Sequence, residues 1–467
     1  MEARRRLAAL LEKAPRFAPV PGLESMSRLA AALGRPERRL RVIHLAGTNG
    51  KGSTAAMLAS ILAAAGRRVA LFTSPHLVAW EERLRLDGQP VGPGELLQAL
   101  ERVLAADAAT AAAGESPLLQ SELLTAAAWW LAERRGADWL VQETGLGGRY
   151  DPTNAVEAPR AVVWTPVHLD HTRLLGRSIA RIAADKAGIA KAGAVAVSAR
   201  QKPAARAALE AATAVVGGRL RLLGRDFRLG RVRLLDGLAP GDRLGGVAFD
   251  YRGPSWRLEE LRLPLPGFHQ AENAAVAVAV AEALAEQGDG PGPEAVRAGL
   301  ARVRWPGRLQ LWREGGRLWI LDGAHNPHAA RALAGWLEAA GGVAWTVLAV
   351  GREKAAGGLV AALAPAGGRL LPVTALEDGF PLQPAARLAR LWRMAGGEAA
   401  LEPAASPAEA FARLRALASP GERLLVTGSL HLVGAWLRLL RPAGASGPLG
   451  LGAAALDDAA QLHVAQP

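Results

Sequence analysis

The sequence predicts an α/β protein with a P-loop, parallel-sheet ATPase domain, a small antiparallel β extension and a C-terminal Rossmann-like α/β domain. Three observations predict this fold. A glycine-rich loop at residues 46–54 follows a short apolar strand and precedes an Ala/Leu-rich helix. Apolar strands alternate with helical segments along most of the chain, which is typical of parallel α/β layers. Polar residues follow these strands at their carboxyl ends, the edge at which open parallel sheets bind ligands.

Length and composition limit the class of protein. The chain has 467 residues, 50% of them hydrophobic, which suffices for at least two domains with sizeable cores, and no cysteine, which excludes disulfides and thiolate metal sites. The basic N-terminal stretch is interrupted by Glu12 and Lys13, so it predicts an amphipathic helix and not a signal peptide. No apolar run approaches the roughly 18 residues of a membrane-spanning helix. We therefore expect a monomeric cytoplasmic protein with no membrane partner.

The net charge of +13 would suit a nucleic-acid partner, because a basic surface attracts polyanions. However, the arginines are spread along the chain, and the one basic run is Arg4 to Arg6. Lysine and asparagine are scarce while Ala, Gly, Pro and Arg are abundant, which indicates a coding bias. We therefore favour small anionic ligands over DNA or RNA. The same bias makes the few asparagines informative; they are Asn49, Asn154, Asn273 and Asn326.

Four predicted strands in the N-terminal half end in polar residues. They cover residues 41–45, 69–72, 139–141 and 161–167. The polar residues that follow them are, in order, the glycine-rich loop, Thr73 with Ser74 and His76, then Glu143, then His168 with Asp170 and His171. Because parallel strands end at one edge of a sheet, we expect these four segments to meet at one site.

The rest of the chain predicts a β extension and a second domain. Residues 219–263 have short Arg/Leu/Val segments broken by Gly and Pro, which indicates antiparallel hairpins. A helix follows to residue 284, and a second α/β run has strands at 318–321, 345–350 and 424–426. We expect an N-terminal domain over residues 1–303, a C-terminal domain over residues 304–441 and a flexible tail over residues 442–467.

The glycine-rich loop predicts a phosphate site. Its glycines let backbone N–H groups surround phosphate oxygens at a helix N-terminus, Lys51 neutralises the β- and γ-phosphates, and a hydroxyl holds Mg²⁺. The loop residues are Gly47, Thr48, Asn49, Gly50, Lys51, Gly52, Ser53 and Thr54. The spacing departs from the common P-loop, because two residues, not four, separate Gly47 from Gly50, and Gly52 precedes the hydroxyl residues. The alternative is a flexible strand–helix turn, which the rarity of lysine argues against.

Lys186 occupies an unusual position. Read as a helix, the segment places Ile179, Ile182, Lys186 and Ile189 on one stripe, so that a lysine stands where an apolar residue is expected. Burial would lower its pKa and leave a neutral amine, which an arginine cannot provide. The alternative is a lysine at the edge of the stripe that extends its ammonium to solvent.

Seven segments together resemble the folylpolyglutamate synthase/dihydrofolate synthase family of the Mur ligase superfamily. They are Ala46-Gly-Thr-Asn-Gly-Lys-Gly-Ser-Thr54, Thr73-Ser-Pro-His-Leu77, Glu143-Thr-Gly-Leu-Gly-Gly-Arg-Tyr-Asp-Pro-Thr-Asn154, Asp170-His-Thr172, Asp185-Lys-Ala-Gly-Ile189, Trp305-Pro-Gly-Arg308 and Asp322-Gly-Ala-His-Asn-Pro327. The resemblance runs in order from about residue 20 to residue 440. It implies an ATP-dependent ligase that phosphorylates a carboxylate to an acyl phosphate, which the amine of L-glutamate then attacks.

The resemblance also implies a metal site. Mg²⁺ on the nucleotide side would be held by Ser53 or Thr54, Ser74 and Glu143. A second Mg²⁺ would be held by His171, Glu143 and a carbamylated Lys186, and Lys51, Glu143, His171, Lys186 and Arg308 would act in catalysis. As alternatives, Glu143 would be an ion-pair partner of Arg149 and His171 a loop histidine with its hydrogen bonds satisfied.

The second domain would close the ATP site from across a cleft. By resemblance, Asp322 suits the ribose hydroxyls, His325 and Asn326 the phosphates or adenine, and Arg308 the transferred phosphoryl group. Asn273, with His269 and Gln270, would meet the adenine from the first domain. Lys354 would help to bind the anionic substrates.

Some positions depart from the family pattern and leave the acceptor open. Gln120-Ser121-Glu122 stands where many members have an aromatic residue before the glutamate, His431 where a Tyr is common, and Pro152 where an Ala is common. The acceptor is therefore a reduced folate, dihydropteroate or both. The alternatives are another Mur-superfamily amide ligase acting on a different carboxylate, a P-loop switch or binding protein, and a nucleic-acid-binding protein. A peptidoglycan-precursor ligase would need a uridine-nucleotide domain, for which the residues before Arg41 leave no room.

Overall fold

The computed structural model describes residues 2–16, 22–111, 116–237 and 242–441; the predicted tail, residues 442–467, lies outside these ranges. The chain forms two compact units. Unit 1 comprises Met1–Gly230, Asp250–Leu261 and Glu272–Arg302, and unit 2 comprises Arg231–Phe249, Arg262–Ala271 and Val303–Pro467. Within the described residues, none of the helices combines the length and the apolar character needed to cross a bilayer.

The secondary structure alternates between strands and helices. The strands are β1 (Arg41–Ala46), β2 (Val69–Phe72), β3 (Leu84–Leu86), β4 (Gln89–Pro90), β5 (Trp139–Glu143), β6 (Ala161–Trp164), β7 (Val195–Ser198), β8 (Leu220–Leu222), β9 (Arg228–Leu235), β10 (Gly246–Arg252), β11 (Arg257–Leu263), β12 (Gln310–Glu314), β13 (Arg317–Leu321), β14 (Trp345–Leu348), β15 (Arg369–Pro372) and β16 (Arg423–Thr427). The α-helices are α1 (Glu2–Lys13), α2 (Glu24–Ala32), α3 (Lys51–Ala64), α4 (Pro93–Ala108), α5 (Gln120–Arg134), α6 (Thr172–Leu175), α7 (Ile179–Lys186), α8 (Pro203–Val215), α9 (Phe268–Glu286), α10 (Pro293–Ala301), α11 (Pro327–Ala339), α12 (Ala356–Leu363), α13 (Ala385–Met394), α14 (Pro407–Leu417) and α15 (Leu430–Leu440).

The first sheet has the strand order β4-β3-β2-β5-β1-β6-β7-β8. Its strands from β2 to β8 in that order run parallel, while β3 and β4 add an antiparallel edge. Strand β1 is flanked by β5 and β6, with Leu45 opposite Glu143 and Ala46 opposite Trp164. The glycine-rich loop, Glu143 and the segment after β6 therefore leave the sheet side by side, as the sequence predicts.

Helix α3, which follows the glycine-rich loop, is apolar on most of its surface because it is covered on several sides. It packs on strands β2 and β5 and on helix α10. Gly299 of α10 permits this approach, since a Cβ there would lie 2.5 Å from the Cα of Ile61. Burial of Ile61, which is fully enclosed, stabilises the unit by about 1.5–3 kcal/mol. This packing fixes the start of α3, where the phosphate site is predicted.

Three sequence expectations about strands differ from the structure. The predicted strand at 345–350 ends at Leu348. Leu220–Leu222, predicted to begin the antiparallel extension, pairs in parallel with β7 in the first sheet, and only β9, β10 and β11 form a separate three-stranded sheet. The predicted strand at 161–167 ends at Trp164, because the following backbone turns toward the glycine-rich loop: the Thr48 N–H donates to the Pro166 carbonyl at 2.9 Å.

The sheet of unit 2 has the order β12-β13-β16-β14-β15. Strand β12 is an antiparallel edge, and the other four strands run parallel. The core beside this sheet includes the fully buried Trp336 and Trp392. The loops that follow β13, β14 and β16 leave at the same carboxyl edge, where the sequence predicts polar residues.

Candidate active site

The glycine-rich loop is held in a conformation that requires its glycines. Gly47 has φ +152° and Gly50 has φ +88°, values that side-chain-bearing residues rarely adopt. A Cβ on Gly47 would lie 1.9 Å from the Thr165 hydroxyl, and one on Gly50 would lie 2.4 Å from Oδ1 of Asn273. Thr165 and Asn273, from the segment after β6 and from helix α9, therefore pack directly against the loop.

Side chains of the loop tie it to the segment after β6. The Thr48 hydroxyl donates to the His168 carbonyl at 3.1 Å, and the His168 N–H donates to the same hydroxyl at 3.0 Å. Lys51 folds back over the loop, with Nζ donating to the Gly47 carbonyl at 3.2 Å. The ammonium is thus centred over the backbone turn, where a phosphate group would be bound.

The first turn of α3 carries two buried hydroxyls. Ser53 is 3% exposed and Thr54 is fully enclosed. Among the described residues, the Thr54 hydroxyl oxygen has no hydrogen-bond partner. A buried polar atom without a partner is uncommon and suggests a missing ligand. Its position in the turn after the loop suits an oxygen ligand of Mg²⁺.

The segment after β2 contacts Glu143 at the end of β5. The Ser74 N–H donates to Oε1 of Glu143, and the peptide bond between Ser74 and Pro75 is cis. The predicted Ser74 and Glu143 are thus brought together across two neighbouring strands. Glu143 is 3% exposed, so its carboxylate is largely shielded from water.

Glu82 fixes the backbone of the segment after β2 through hydrogen bonds. Its carboxylate accepts the backbone N–H groups of Leu77, Val78 and Ala79 at 3.0, 2.9 and 2.8 Å. Burial raises the pKa of Glu82, and these hydrogen bonds act in the opposite direction. Sequence reasoning did not identify this residue, whose only sequence signal is its place in an acidic pair with Glu81.

Arg83 was also not identified from the sequence. Its Nε–H donates to Nδ1 of His76 at 3.0 Å, and its guanidinium lies 4.6 Å from the centre of the Trp80 ring. Burial lowers the pKa of Arg83 to about 10, while the nearby carboxylate of Glu143 acts to raise it. A guanidinium therefore stands beside the predicted metal ligand Glu143, in a partly desolvated setting that strengthens its attraction for anions.

Lys186 lies buried at the end of α7, 5% exposed. Burial, with a smaller contribution from the charge of Lys51, lowers the pKa of Lys186 to about 7, although the carboxylates of Asp185, Asp170 and Asp151 act to raise it. Lys186 therefore lies within electrostatic range of Lys51 in the glycine-rich loop. At neutral pH much of this amine is unprotonated.

The backbone after Glu143 forms a cradle for Lys186. A Cβ on Gly148 would lie 2.8 Å from the Cα and the carbonyl oxygen of Lys186, so the two segments touch through backbone. Trp164 donates from its indole N–H to the Lys186 carbonyl at 2.9 Å. Asn154 joins the two segments by donating to the carbonyls of Arg149 and Gly188 at 3.0 and 3.1 Å.

His171 is the N-cap residue that precedes helix α6, and its backbone has the left-handed conformation with φ +47°. Its backbone N–H donates to Oδ1 of Asp170 at 2.9 Å, and its side chain is exposed. Within the described ranges no group of three or more His, Asp and Glu side chains forms a ready metal site. The predicted metal set has two such side chains, Glu143 and His171, and otherwise depends on hydroxyls and on a modified lysine.

In unit 2, Asp322 follows β13 and is buried. Its carboxylate accepts the N–H groups of Leu309 and Ala324, both at 2.9 Å. Burial raises the pKa of Asp322, and the charge of Arg308 acts to lower it. Asp322 thus joins the predicted Arg308 segment to the end of β13, which brings these two predicted site residues together.

The other predicted residues of this region have local structural contacts. His325 has Nδ1 2.9 Å from the Gly323 carbonyl, and Asn326 caps helix α11 by accepting the Ala329 N–H at 3.0 Å. His269 and Gln270 are predicted to act with Asn273, but both lie in unit 2, whereas Asn273 lies in unit 1. Roles for these residues in nucleotide binding remain predictions.

Comparisons with known proteins show which proteins this chain resembles. Residues 307–430 match the Mur ligase, glutamate ligase domain. The chain is 35% identical over 327 residues to the folylpolyglutamate synthase of Lacticaseibacillus casei, covering 70% of this chain and 74% of that protein. It is 36% identical over 365 residues to the dihydrofolate synthase/folylpolyglutamate synthase of Mycobacterium tuberculosis, covering 74% of this chain and 72% of that protein.

The chain belongs to the folylpolyglutamate synthase/dihydrofolate synthase family. Solved structures of this family have the same fold. The Mycobacterium tuberculosis folylpolyglutamate synthase complexed with ADP aligns with a TM-score of 0.84 at 30% identity, covering 94% of this chain and 99% of that chain. The Escherichia coli FolC, in complex with DHPP and ADP, aligns with a TM-score of 0.78 at 30% identity, covering 93% of this chain and 97% of that chain. The resemblance inferred from the seven sequence segments and the predicted fold class are confirmed.

Proposed function

We propose that this protein is an ATP-dependent ligase that adds L-glutamate to the carboxylate of a folate and to that of dihydropteroate. ATP transfers its γ-phosphoryl group to the carboxylate, which gives an acyl phosphate and ADP. The amine of L-glutamate then attacks the acyl carbon, phosphate leaves with the C–O bond electrons, and the amine loses a proton as the amide forms. The names of its relatives, which are folylpolyglutamate and dihydrofolate synthases, support this assignment.

The observation that carries the proposal is the arrangement around β1. The glycine-rich loop leaves β1, Glu143 ends the neighbouring β5, and the segment after β6 contacts the loop through Thr48. Lys186 is close enough for the charge of Lys51 to lower its pKa. Phosphoryl transfer between two anions needs this kind of grouping, in which cationic groups and polar oxygens surround one phosphate position.

The loop would bind the phosphates of ATP. Its backbone N–H groups and the N-terminus of α3 attract negative charge, and Lys51 places an ammonium over the loop. Lys51 would stay close to the β- and γ-phosphates during transfer. The bound nucleotide would thereby be oriented for attack by the acceptor carboxylate.

Mg²⁺ fits the residues at this site. The orphaned, buried Thr54 hydroxyl, with Ser53, Ser74 and Glu143, would hold the ion on the nucleotide side. His171, Glu143 and Lys186 would hold a second ion. When bound, such ions neutralise the repulsion between the phosphoryl group and the attacking carboxylate.

Lys186 would supply its oxygen ligand as a carbamate. The unprotonated amine attacks CO₂, an N–C bond forms, and one proton is released to solvent. The pKa of about 7 supports this step, because a lysine with its ordinary pKa would be almost fully protonated at neutral pH. The cradle formed by Gly148 and Trp164 fixes the backbone from which the carbamate would extend.

Unit 2 would contribute the groups that recognise the amine substrate and the nucleotide. The match of residues 307–430 to a glutamate ligase domain supports L-glutamate as the amine. Arg308 would stabilise the transferred phosphoryl group, Asp322, His325 and Asn326 would contact the nucleotide, and Lys354 would bind a substrate carboxylate. Asn273 would contact the nucleotide from unit 1. We place the enzyme in the cytoplasm, which suits a chain without cysteine.

A phosphate-release assay tests the proposal. The purified protein would be given ATP, Mg²⁺ and L-glutamate with either dihydropteroate or tetrahydrofolate, and the product would be identified by mass. We expect release only when ATP, acceptor and L-glutamate are all present. Full-rate ATP hydrolysis without L-glutamate, or ligation to a different carboxylate such as a uridine-linked peptide, would contradict it.

A further inference from the structure

His431 connects helix α15 to the loop that follows β15. Its Nδ1 lies 2.6 Å from Oδ2 of Asp378, and its imidazole ring stacks on Phe380 with ring centres 4.1 Å apart and 16° between the planes. Burial acts to raise the pKa of Asp378, but the hydrogen bonds from His431 and the Phe380 backbone, with the charge of Arg438, outweigh it and lower the pKa. Asp378 therefore remains an ionised partner for His431.

Phe380 in turn supports the loop that follows β14. A Cβ on Gly351 would lie 3.0 Å from Cε1 of Phe380, so the ring covers the backbone at Gly351. The Arg352 N–H donates to the Pro381 carbonyl at 2.9 Å. The loop at 351–354 thus packs on the segment at 380–381, and His431 packs on the same segment through the Phe380 ring.

Gln383 completes this support. Its side-chain amide donates to the carbonyls of Arg352 and Lys354 at 2.7 and 3.2 Å, and its backbone N–H donates to the Val350 carbonyl at 2.7 Å. The backbone that carries Lys354 is therefore fixed by contacts from the 380–383 segment. The direction of the Lys354 side chain depends on that backbone.

The two loops and α15 share one edge of the sheet. Strands β14 and β16 are neighbours, with Leu348 opposite Thr427. Ser429, just after β16, caps α15 and accepts the His431 N–H at 3.1 Å. His431 therefore lies at the ligand-binding edge of unit 2.

We propose that His431 is a positioning residue for the dicarboxylic amino acid that attacks the acyl phosphate. By stacking on Phe380 and binding Asp378, it fixes the 351–354 loop so that the Lys354 ammonium is set to receive a carboxylate. His431 itself does not contact the substrate. This inference rests on the proposed function, because the amino acid is a substrate only if the ligase assignment holds.

Steady-state kinetics of full-length variants test the proposal. His431→Ala should raise the KM for L-glutamate by about tenfold, the scale expected for losing an aromatic stack with a charged hydrogen bond. The kcat and the KM for ATP should stay within about twofold. Phe380→Leu and Asp378→Asn should move the KM for L-glutamate in the same direction. His431→Tyr keeps a ring over Phe380 and should restore most of the affinity.

Glu377→Ala is the matched control. Glu377 is the neighbour of Asp378 and ties the same loop to the same helix, through an ion pair with Arg438 at 3.2 Å. Both side chains are exposed, so this pair contributes little, and the variant should behave as the wild type. Thermal unfolding of each variant would check that the fold is retained.

Three results would overturn the proposal. They are an unchanged KM for L-glutamate in both His431→Ala and Phe380→Leu, an equal rise in Glu377→Ala, and a loss confined to kcat. A wild-type protein that does not use L-glutamate would instead contradict the proposed function, so the two failures are distinguishable.

Discussion

Gly148 and Lys186 meet through backbone alone. A Cβ on Gly148 would lie 2.8 Å from the Cα of Lys186, a separation that real Cβ atoms essentially never show. The segment after β5 and the end of α7 therefore pack at a distance that only glycine permits. Because Lys186 is in direct backbone contact with Gly148, the position of the lysine amine depends on a residue that has no side chain.

Gly148→Ala should reduce turnover while the protein remains folded. The added methyl meets backbone atoms of Lys186, which cannot rotate away, so the end of α7 must shift. We expect a loss of at least about tenfold in kcat, since small displacements of a catalytic group are costly. Turnover and thermal unfolding would be measured together. Gly94→Ala, where the space around the Cβ is open, is the control. Equal activity in the two variants would contradict the role of the contact.

Lys186→Arg should abolish turnover, because a guanidinium cannot form a carbamate. Lys186→Ala should be equally inactive, but added acetate or formate should restore part of its activity by supplying an oxygen ligand. The arginine variant should not respond. Removal of bicarbonate should slow the wild type only. A fully active Lys186→Arg variant would show that the lysine has a structural role and that no carbamate is needed.

The buried Lys186 should also make stability depend on pH. Its pKa falls from 10.5 to about 7 on folding, so between these values the unfolded chain binds more protons than the folded chain. The free energy of unfolding of the wild type, relative to Lys186→Met, should therefore rise as pH increases from about 7 to 10.5. Urea unfolding in metal-free, CO₂-free buffer measures this difference. A difference that stays flat over this range would mean that the amine is hydrated.

Lys51→Ala should abolish ATP-dependent turnover, because the ammonium over the glycine-rich loop is removed. The loss should exceed about a hundredfold, as for other residues that stabilise a transferring phosphoryl group. Lys202→Ala is the control, since Lys202 is exposed ahead of α8. Comparable turnover in the two variants would remove the loop from the reaction.

Thr54→Val should separate metal binding from stability. The variant keeps the shape of the side chain and removes a buried hydroxyl that has no partner among the described residues, so the free energy of unfolding should be unchanged or higher. The Mg²⁺ concentration for half-maximal turnover should increase if the hydroxyl is a ligand. Titration with Mg²⁺ at saturating ATP measures this effect. A lower stability with an unchanged Mg²⁺ requirement would assign the hydroxyl to packing.

The glycine-rich loop and the strands around it could be predicted because each carries a local signal. Gly47 and Gly50 follow an apolar strand, and Lys51 is conspicuous in a chain with few lysines. Glu82 and Arg83 could not be assigned in this way. Arg83 lies near Glu143 only because β2 and β5 pair. The hydrogen bonds of Glu82 are local, but their partners Leu77, Val78 and Ala79 are apolar residues that give no sequence signal of a turn.

The predicted start of the β extension was wrong for a related reason. Leu220–Leu222 has the same Arg/Leu composition as the strands that follow it, yet it joins β7 in the first sheet. A short apolar strand carries no information about its partner. Lys186, by contrast, was found from its helical stripe, since a charged residue among isoleucines signals an unusual environment before any contact is known.

The three backbone hydrogen bonds to Glu82 have a consequence for any ligand that binds beside Ser74. Ordering the backbone of a residue costs about 1–2 kcal/mol of conformational entropy. The Glu82 carboxylate orders the backbone of Leu77, Val78 and Ala79 when the protein folds. A ligand that binds beside Ser74 would therefore meet a backbone segment that is already ordered. Its association therefore does not include the entropy cost of ordering these three residues.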